Sequence, residues 1–524
     1  MISTRVLIAV FALLAVLIVI LATPFGIGIT PDSTVYLEAA RNLVDGHGLM
    51  ALAKGEVRPL THYPPLYPSL LALLSATHVS GETAARWLQA ALFGANVWIV
   101  GLAIARYARE SFWLPIIGAL LTLTAPDLAS VHTFALTEPL FILLTVSCLV
   151  TLARFLETER WWYLIVAALL AALAVLTRYV GGAVISTGVI ALLLAGKPDW
   201  RKRFTSAIAF GAIASIPMLV WMLRNARLSG AATDRQLDFH LPGLKQVVLV
   251  FSTFSSWLLL GKVRTDLRAA FFVAEVIVAS IFILYLWKQV RQSSSTRVRS
   301  GGTPSPHYGL AKLPLVILIF VVCYVGFLVI TATLFDVVIF DDRAMVPVHA
   351  VSIILFLCVV WKFWPHFDGR RVIRMALVLV AVNLLGSYSL RAVNWFNRTR
   401  QDGQIYASRI WKDSQTIAYL RNLPPEVFIY SNGYDGIYYL TGRPGQFIPE
   451  KTVFVTGRAN QNYEAELEKM RKTLREKKSV LVYFNTLPER WYQPAESELR
   501  IRLSLTAIST AKDGSIYLGN INPR

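Results

Sequence analysis

Asp32, Glu138, Arg178, Arg224 and Arg343 are ionisable side chains at the ends of long apolar runs, and chemistry in this chain is sought there first. A charge beside a lipid-facing segment is costly unless it pairs or faces a wet cavity, so several at one depth point to a site. Asp32 opens a polar stretch, Thr30 to Leu74, that also carries Glu38, Asp45, His47, Lys54, Glu56, Arg58 and His62. Two roles fit Asp32: the N-cap of the amphipathic helix expected from STVYLEAARNL, or a general base at the mouth of a cavity. Glu138 precedes a proline and an apolar run, which suits helix initiation; its other role is a second carboxylate that holds an acceptor hydroxyl or a divalent cation. Arg343, in DDRAMVPVHA, stands with two acids at a helix mouth, where a guanidinium fork suits phosphate oxygens. Arg224 and Arg178 are further candidates for that charge, although Arg178 and Tyr179 also fit a snorkelling and belt role. His62 and Tyr63, ahead of PPLYP, could stack on a sugar or shape a proline-fixed turn.

These side chains need a scaffold, and the composition specifies its class. Of 524 residues, 55% are apolar and 16% charged, with a mean hydropathy of +0.53, far more apolar than an ordinary soluble chain. Runs long enough to cross a bilayer as helices recur from Val6 to Leu390 and stop after Arg391. The net charge of +19 follows from Lys and Arg in short loops, as the positive-inside rule expects, so nucleic acid is not the expected partner; membrane lipids are. Cys148, Cys323 and Cys358 all fall inside apolar runs and form neither a disulfide framework nor a metal-ligand spacing.

Arg5 places the start of the first run in the cytoplasm, as an uncleaved helix. Counting basic loops from there puts residues 24–85 outside. Spans are expected at about Val6–Thr23, Arg86–Ala105, Phe112–Ala129, Glu138–Arg154, Trp161–Val180, Gly181–Ala195, Thr205–Leu223, Ala269–Trp287, Leu313–Phe335, Ala344–Trp361 and Met375–Leu390. Val247–Gly261 is read as a re-entrant or interfacial piece, because the basic, acid-free segment Lys288 to Lys312 must then lie in the cytoplasm. This gives about eleven helices in residues 1–390 and an extracytoplasmic soluble α/β domain in 391–524, where EVFIYS and SVLVYFN read as strands and DSQTIAYLRNL and NYEAELEKMRKTLREKK as helices. The topology puts Asp32, His62, Glu138, Arg178, Arg224, Asp341, Asp342 and Arg343 at one outer face. No glycine-rich nucleotide loop, HEXXH pattern or histidine cluster occurs, so no tightly held metal is expected; a divalent cation at Asp32 and Glu138 is the alternative.

PDSTVYLEAARNLVDGHGL with HYPPLYPSLLAL, then TEPLF, LTRYVGG and DDRAMVPV, in this order, resemble the GT-C superfamily of membrane glycosyltransferases. The protein O-mannosyltransferase-like and aminoarabinose-transferase-like branches are the most similar. The resemblance covers the chain to about residue 390 and implies an inverting transfer of a sugar from a polyprenyl-phosphate donor to an extracytoplasmic acceptor, at the plasma (inner) membrane. It implies a catalytic acid at Asp32, a second acidic position at Glu138 and a lipid-phosphate contact at Arg343, helped by Arg178 or Arg224. His62, Tyr63, Tyr179 and Asp342 become the candidates for holding sugar or acceptor. Some branches carry Lys-Pro-Pro where this chain has Tyr63, Pro64 and Pro65, so arginines must supply the charge here. Two rivals predict other features: a lipid-saccharide transporter or flippase would show two similar halves with broken helices at mid-membrane, and a non-catalytic assembly protein would carry a binding groove in its tail.

Overall fold

In the computed structural model, residues 3–53, 56–77, 79–196, 199–233, 312–335, 342–364, 371–443, 445–454, 457–476, 479–487 and 490–519 are described, with a few positions between 235 and 284. The expected span at Ala269–Trp287, the basic segment after it and Asp341 lie largely or wholly outside them. Of the expected re-entrant piece, 250 and 252–257 are described, and they are helical.

Among the described residues, the expected apolar runs are helical, the third of them in two pieces. These are α1 (Thr4–Ala22), α4 (Gly81–Tyr107), α5 (Trp113–Thr124) and α7 (Glu138–Thr158), with α2, α3 and α6 between them as given below, then α8 (Trp161–Thr177), α9 (Gly182–Ala195), α10 (Trp200–Ser229), α11 (Lys312–Leu334), α12 (Asp342–Phe363) and α13 (Arg371–Asp402). Among the described residues, six helices are long and apolar enough to cross a membrane. The expected third span is interrupted: α5 ends at Thr124, and Pro126 begins a separate short helix, α6 (Pro126–Val131), because proline starts a helix more readily than it continues one.

Small residues set the helix spacing. A Cβ on Gly94 would lie 2.8 Å from Val16 and 2.9 Å from the Ala12 carbonyl, so α4 can touch the backbone of α1 only through a glycine there. The opposite face of α1 leaves Leu13, Leu17 and Leu21 exposed, as a lipid-facing helix should. Arg86 of α4 donates to the Ile20 carbonyl at 2.7 Å and to Thr23 Oγ1 at 2.9 Å, satisfying carbonyls that the end of α1 leaves open. Deeper in the bundle, His349 of α12 joins Asp127 of α6 at 2.7 Å and the Tyr388 hydroxyl of α13 at 3.1 Å, and stacks on Trp257. Both His349 ring nitrogens find partners, and the Tyr388 hydroxyl donates on to the Trp257 carbonyl at 2.6 Å, as burial favours.

The polar stretch after α1 folds as α2 (Pro31–Val44), a hairpin of β1 (Met50–Ala53) and β2 (Glu56–Pro59), and α3 (Leu66–Ser75). After α13 come α14 (Arg409–Lys412), α15 (Gln415–Asn422), β3 (Phe428–Ser431), α16 (Tyr434–Thr441), β4 (Gly445–Phe447), α17 (Tyr463–Glu476), β5 (Ser479–Phe484), α18 (Glu496–Leu503), β6 (Leu505–Thr510) and β7 (Gly514–Gly519). The five strands order as β4-β3-β5-β7-β6, with β3 parallel to β4 and β5 and the rest antiparallel. The chain is thus a polytopic α-helical membrane protein with an α/β C-terminal region.

Candidate active site

Asp32 is not the N-cap of α2. Thr30 is: its hydroxyl accepts from the Ser33 amide at 3.1 Å, the Ser33 hydroxyl accepts from the Thr30 amide at 3.0 Å, and Pro31 takes the first helical position. This reciprocal box satisfies the amides that Asp32 would otherwise cap. The Asp32 carboxylate is therefore free to point away from its own backbone, and it binds two distant side chains. Arg343 Nη2 donates to Oδ2 at 2.6 Å, and the Tyr63 hydroxyl donates to Oδ1 at 2.7 Å.

Glu138 opens α7 with Pro139 behind it, and its side chain is fully buried. Its Oε1 receives Arg343 Nε at 2.5 Å and Arg178 Nη1 at 2.6 Å. Arg178 also donates to the Thr137 hydroxyl at 2.9 Å. A buried carboxylate without such partners would be very costly, and two guanidiniums offset that cost. Arg343 thus bridges Asp32 and Glu138, residues that stand 311 and 205 positions before it in the chain. Side chains from α2, α7, the end of α8 and α12 meet at one end of the bundle.

Aromatic rings wall this cluster. Tyr36 packs edge-on against both Tyr63 and Tyr67, with centroids 5.1 and 5.4 Å apart. Burial, then the Asp32 carboxylate, pushes the Tyr63 phenol well above its ordinary range, so it stays protonated and donates to Asp32. Burial does the same to Tyr36, again with Asp32 next in strength. Gln89 fixes the Tyr67 hydroxyl at 2.9 Å, and the Tyr324 hydroxyl of α11 donates to the Ala344 carbonyl at 2.8 Å, next to Arg343.

The other candidates lie around this centre. His62 stands edge-on to the Tyr63 ring at 4.8 Å, and exposed Asp342 begins α12 beside Arg343. Tyr179 donates to the Thr61 carbonyl at 3.1 Å. Arg224 is engaged away from the cluster: it donates to the Leu60 carbonyl at 2.8 Å and lies 4.4 Å from the Trp221 ring, tying α10 to the polar stretch after α1. Sequence reasoning did not single out Thr137, Tyr36 or Tyr324. Thr137 adjoins Glu138, and Tyr324 is the one tyrosine in an apolar helix; both are signals the sequence carries. Among the described residues no group of three or more His, Cys, Asp or Glu side chains could hold a metal ion. Oxygens of Asp32 and Glu138 suit a divalent cation in type, but Arg343 occupies the position between them.

The helical membrane bundle has the fold of the GT-C membrane glycosyltransferases. Residues 62–221 match the family model described as dolichyl-phosphate-mannose-protein mannosyltransferase. Among solved structures, ArnT from Cupriavidus metallidurans, bound to undecaprenyl phosphate, is 13% identical with a TM-score of 0.50 over 98% of either chain. The oligosaccharyltransferase AglB from Archaeoglobus fulgidus, in complex with an inhibitory peptide and a dolichol-phosphate, is 13% identical with a TM-score of 0.53, over 90% of this chain and 69% of that one. The arabinofuranosyltransferase AftD from mycobacteria is 15% identical with a TM-score of 0.53, over 99% of this chain and 40% of that one. No curated protein matches the chain. At such identities the likeness establishes the fold.

Proposed function

We propose that the chain is an inverting glycosyltransferase that moves a sugar from a polyprenyl-phosphate donor to an extracytoplasmic acceptor. The acceptor is a lipid-linked glycan, an envelope polymer or a protein. The observation that carries this reading is Arg343 bridging Asp32 and Glu138 at one mouth of the bundle. A base, a leaving-group cation and an acid that anchors the cation are what displacement of a phosphate from an anomeric carbon requires.

In the proposed step Asp32 takes the proton of the acceptor hydroxyl as its oxygen bonds to the anomeric carbon. The bond from that carbon to the phosphate oxygen breaks, and its electron pair leaves on the phosphate. Arg343, with Arg178 behind Glu138, stabilises that charge. The products are the inverted glycoside and the polyprenyl phosphate. Because Arg343 is gripped by Asp32 before the donor arrives, an incoming phosphate competes with Asp32 for the same guanidinium, and its binding releases the base. Tyr63 continues to orient Asp32 from the other oxygen, while His62, Tyr179 and Asp342 line the approach for sugar or acceptor. Residues 1–390 form the transmembrane part of a multi-pass plasma (inner) membrane protein with a cytoplasmic N-terminus, and 391–524 the extracytoplasmic domain beside the site.

Purified protein incubated with a panel of polyprenyl-phosphate sugars should release polyprenyl phosphate with one of them. Asp32→Asn should lower that release by roughly a hundredfold or more, the scale of lost general-base catalysis, with the fold unchanged by circular dichroism. Full activity in this variant would refute the assignment.

A further inference from the structure

At the end of the bundle opposite Asp32, α5, α12 and α13 leave an apolar groove of about 410 Å³ between them. Arg343 and Trp361 sit 18 positions apart on one continuous helix, roughly 27 Å at 1.5 Å per residue, so the groove lies a membrane thickness away from the site. Trp113, Ile117, Phe356, Trp361, Trp364 and Val378 line it. Three tryptophans at one depth are what a helix bundle places at the boundary between hydrocarbon and headgroups. The volume falls within the range of ligand-sized cavities.

The rim of the groove is basic. The Arg374 guanidinium lies 5.2 Å from the Trp364 ring centroid and donates to the Trp364 carbonyl at 3.4 Å, which fixes it at the mouth. Arg371 begins α13 two turns before lining residue Val378 and on the same helix face, and exposed Arg109 sits two residues before lining residue Ser111. Glu110 is the acid that adjoins Arg109. We infer that this groove is a binding site for an anionic phospholipid, with an acyl chain along the tryptophans and the phosphate against Arg374 and Arg371. Charge complementarity selects this occupant. The far end of a polyprenyl tail would fill the apolar volume but bring nothing to meet the cations, whereas a phospholipid satisfies both parts. The inference stands apart from the proposed transfer reaction, since no residue is shared with it.

The test uses the whole protein in phosphatidylcholine vesicles that contain one tenth of either dibrominated phosphatidylglycerol or dibrominated phosphatidylcholine. With 14 tryptophans in the chain, both lipids quench emission through general contact; the excess quenching by the anionic lipid is the readout. The excess should be about twofold, the scale of a modest preference at a basic membrane patch. It should vanish in Arg371→Gln/Arg374→Gln and also in Ala381→Phe, which fills the groove without touching the charges and decides the matter should the rim variant not fold. Equal quenching by the two lipids overturns the proposal. So does an excess that survives in both variants. An excess displaced by one equivalent of polyprenyl phosphate overturns it too, assigning the groove to a donor tail.

Discussion

At the scale of single residues, the state of Arg343 decides how the site is read. Its guanidinium is committed to Asp32 and Glu138 at 2.6 and 2.5 Å, and Glu138 also holds Arg178, so two carboxylates face two guanidiniums in near balance. A phosphate entering this cluster must take Arg343 from Asp32. Asp32→Asn should therefore bind free polyprenyl phosphate more tightly, by about tenfold, the worth of one charge-assisted hydrogen bond, while losing transfer. A titration of the lipid against intrinsic fluorescence measures this; unchanged affinity would show that phosphate and Asp32 do not compete, without touching the base assignment. Glu138→Gln should instead destabilise the protein by about 2–4 kcal/mol, somewhat below the loss expected for a fully buried pair, since it leaves two half-buried guanidiniums short of an anion, and a lowered melting temperature in detergent would show it. The convergence of Asp32, Glu138, Arg178 and Arg343 was readable from the chain, because basic loops alone order the helices and set those four at one end. Two details were not. The sequence leaves Asp32 either cap or base, and only the box closed by Thr30 and Ser33 takes the cap role from it; its bond to Tyr63 crosses 31 positions of loop with no local pattern to announce it.

Among the elements, the short segment before α2 sets the distance between the two carboxylates. Gly28 donates to the Thr133 carbonyl at 2.8 Å and accepts from the Ala135 amide at 3.0 Å, so residues just before Asp32 pair with residues just before Glu138. A side chain at Gly28 would meet the Phe134 ring at 2.4 Å and Gln404 at 3.0 Å, and the pairing could not close. Gly28→Val should cost about 1–3 kcal/mol as an overpacked contact and lower kcat/KM while leaving lipid-phosphate affinity unchanged or higher, because Arg343 and Glu138 keep each other while Asp32 is pushed away. A thermal melt and a steady-state assay on one preparation separate those effects. Helix positions were legible because long apolar runs leave little choice in lipid. The break between α5 and α6 at Pro126 was not allowed for, and β6 and β7 carry too short an apolar pattern to stand out. The order β4-β3-β5-β7-β6 depends on long-range pairing that no local window contains.

For the molecule as a whole, the C-terminal α/β region is clamped onto the loop that presents the base. The Tyr406 amide donates to the Ile29 carbonyl at 3.2 Å, Lys412 Nζ to the Phe25 carbonyl at 2.6 Å, and the Tyr438 hydroxyl to Glu38 Oε1 at 2.9 Å. The first two contacts grip the approach to α2, and the third grips its middle. Asp32 is thus held by the membrane bundle through Arg343 and by the C-terminal region through its own helix. Weakening that second hold in Lys412→Ala/Tyr438→Phe removes two hydrogen bonds, each worth about 1 kcal/mol, and leaves the ion pairs untouched. Amide exchange in residues 26–38 should quicken by about tenfold or more, as local opening grows easier, with exchange in α7 unchanged. If the clamp also aligns the base, kcat should fall with it while the donor affinity stays as before. Faster exchange with an unaltered kcat would mean that the bundle alone holds Asp32 in place, and the C-terminal region would then act on the acceptor side of the reaction.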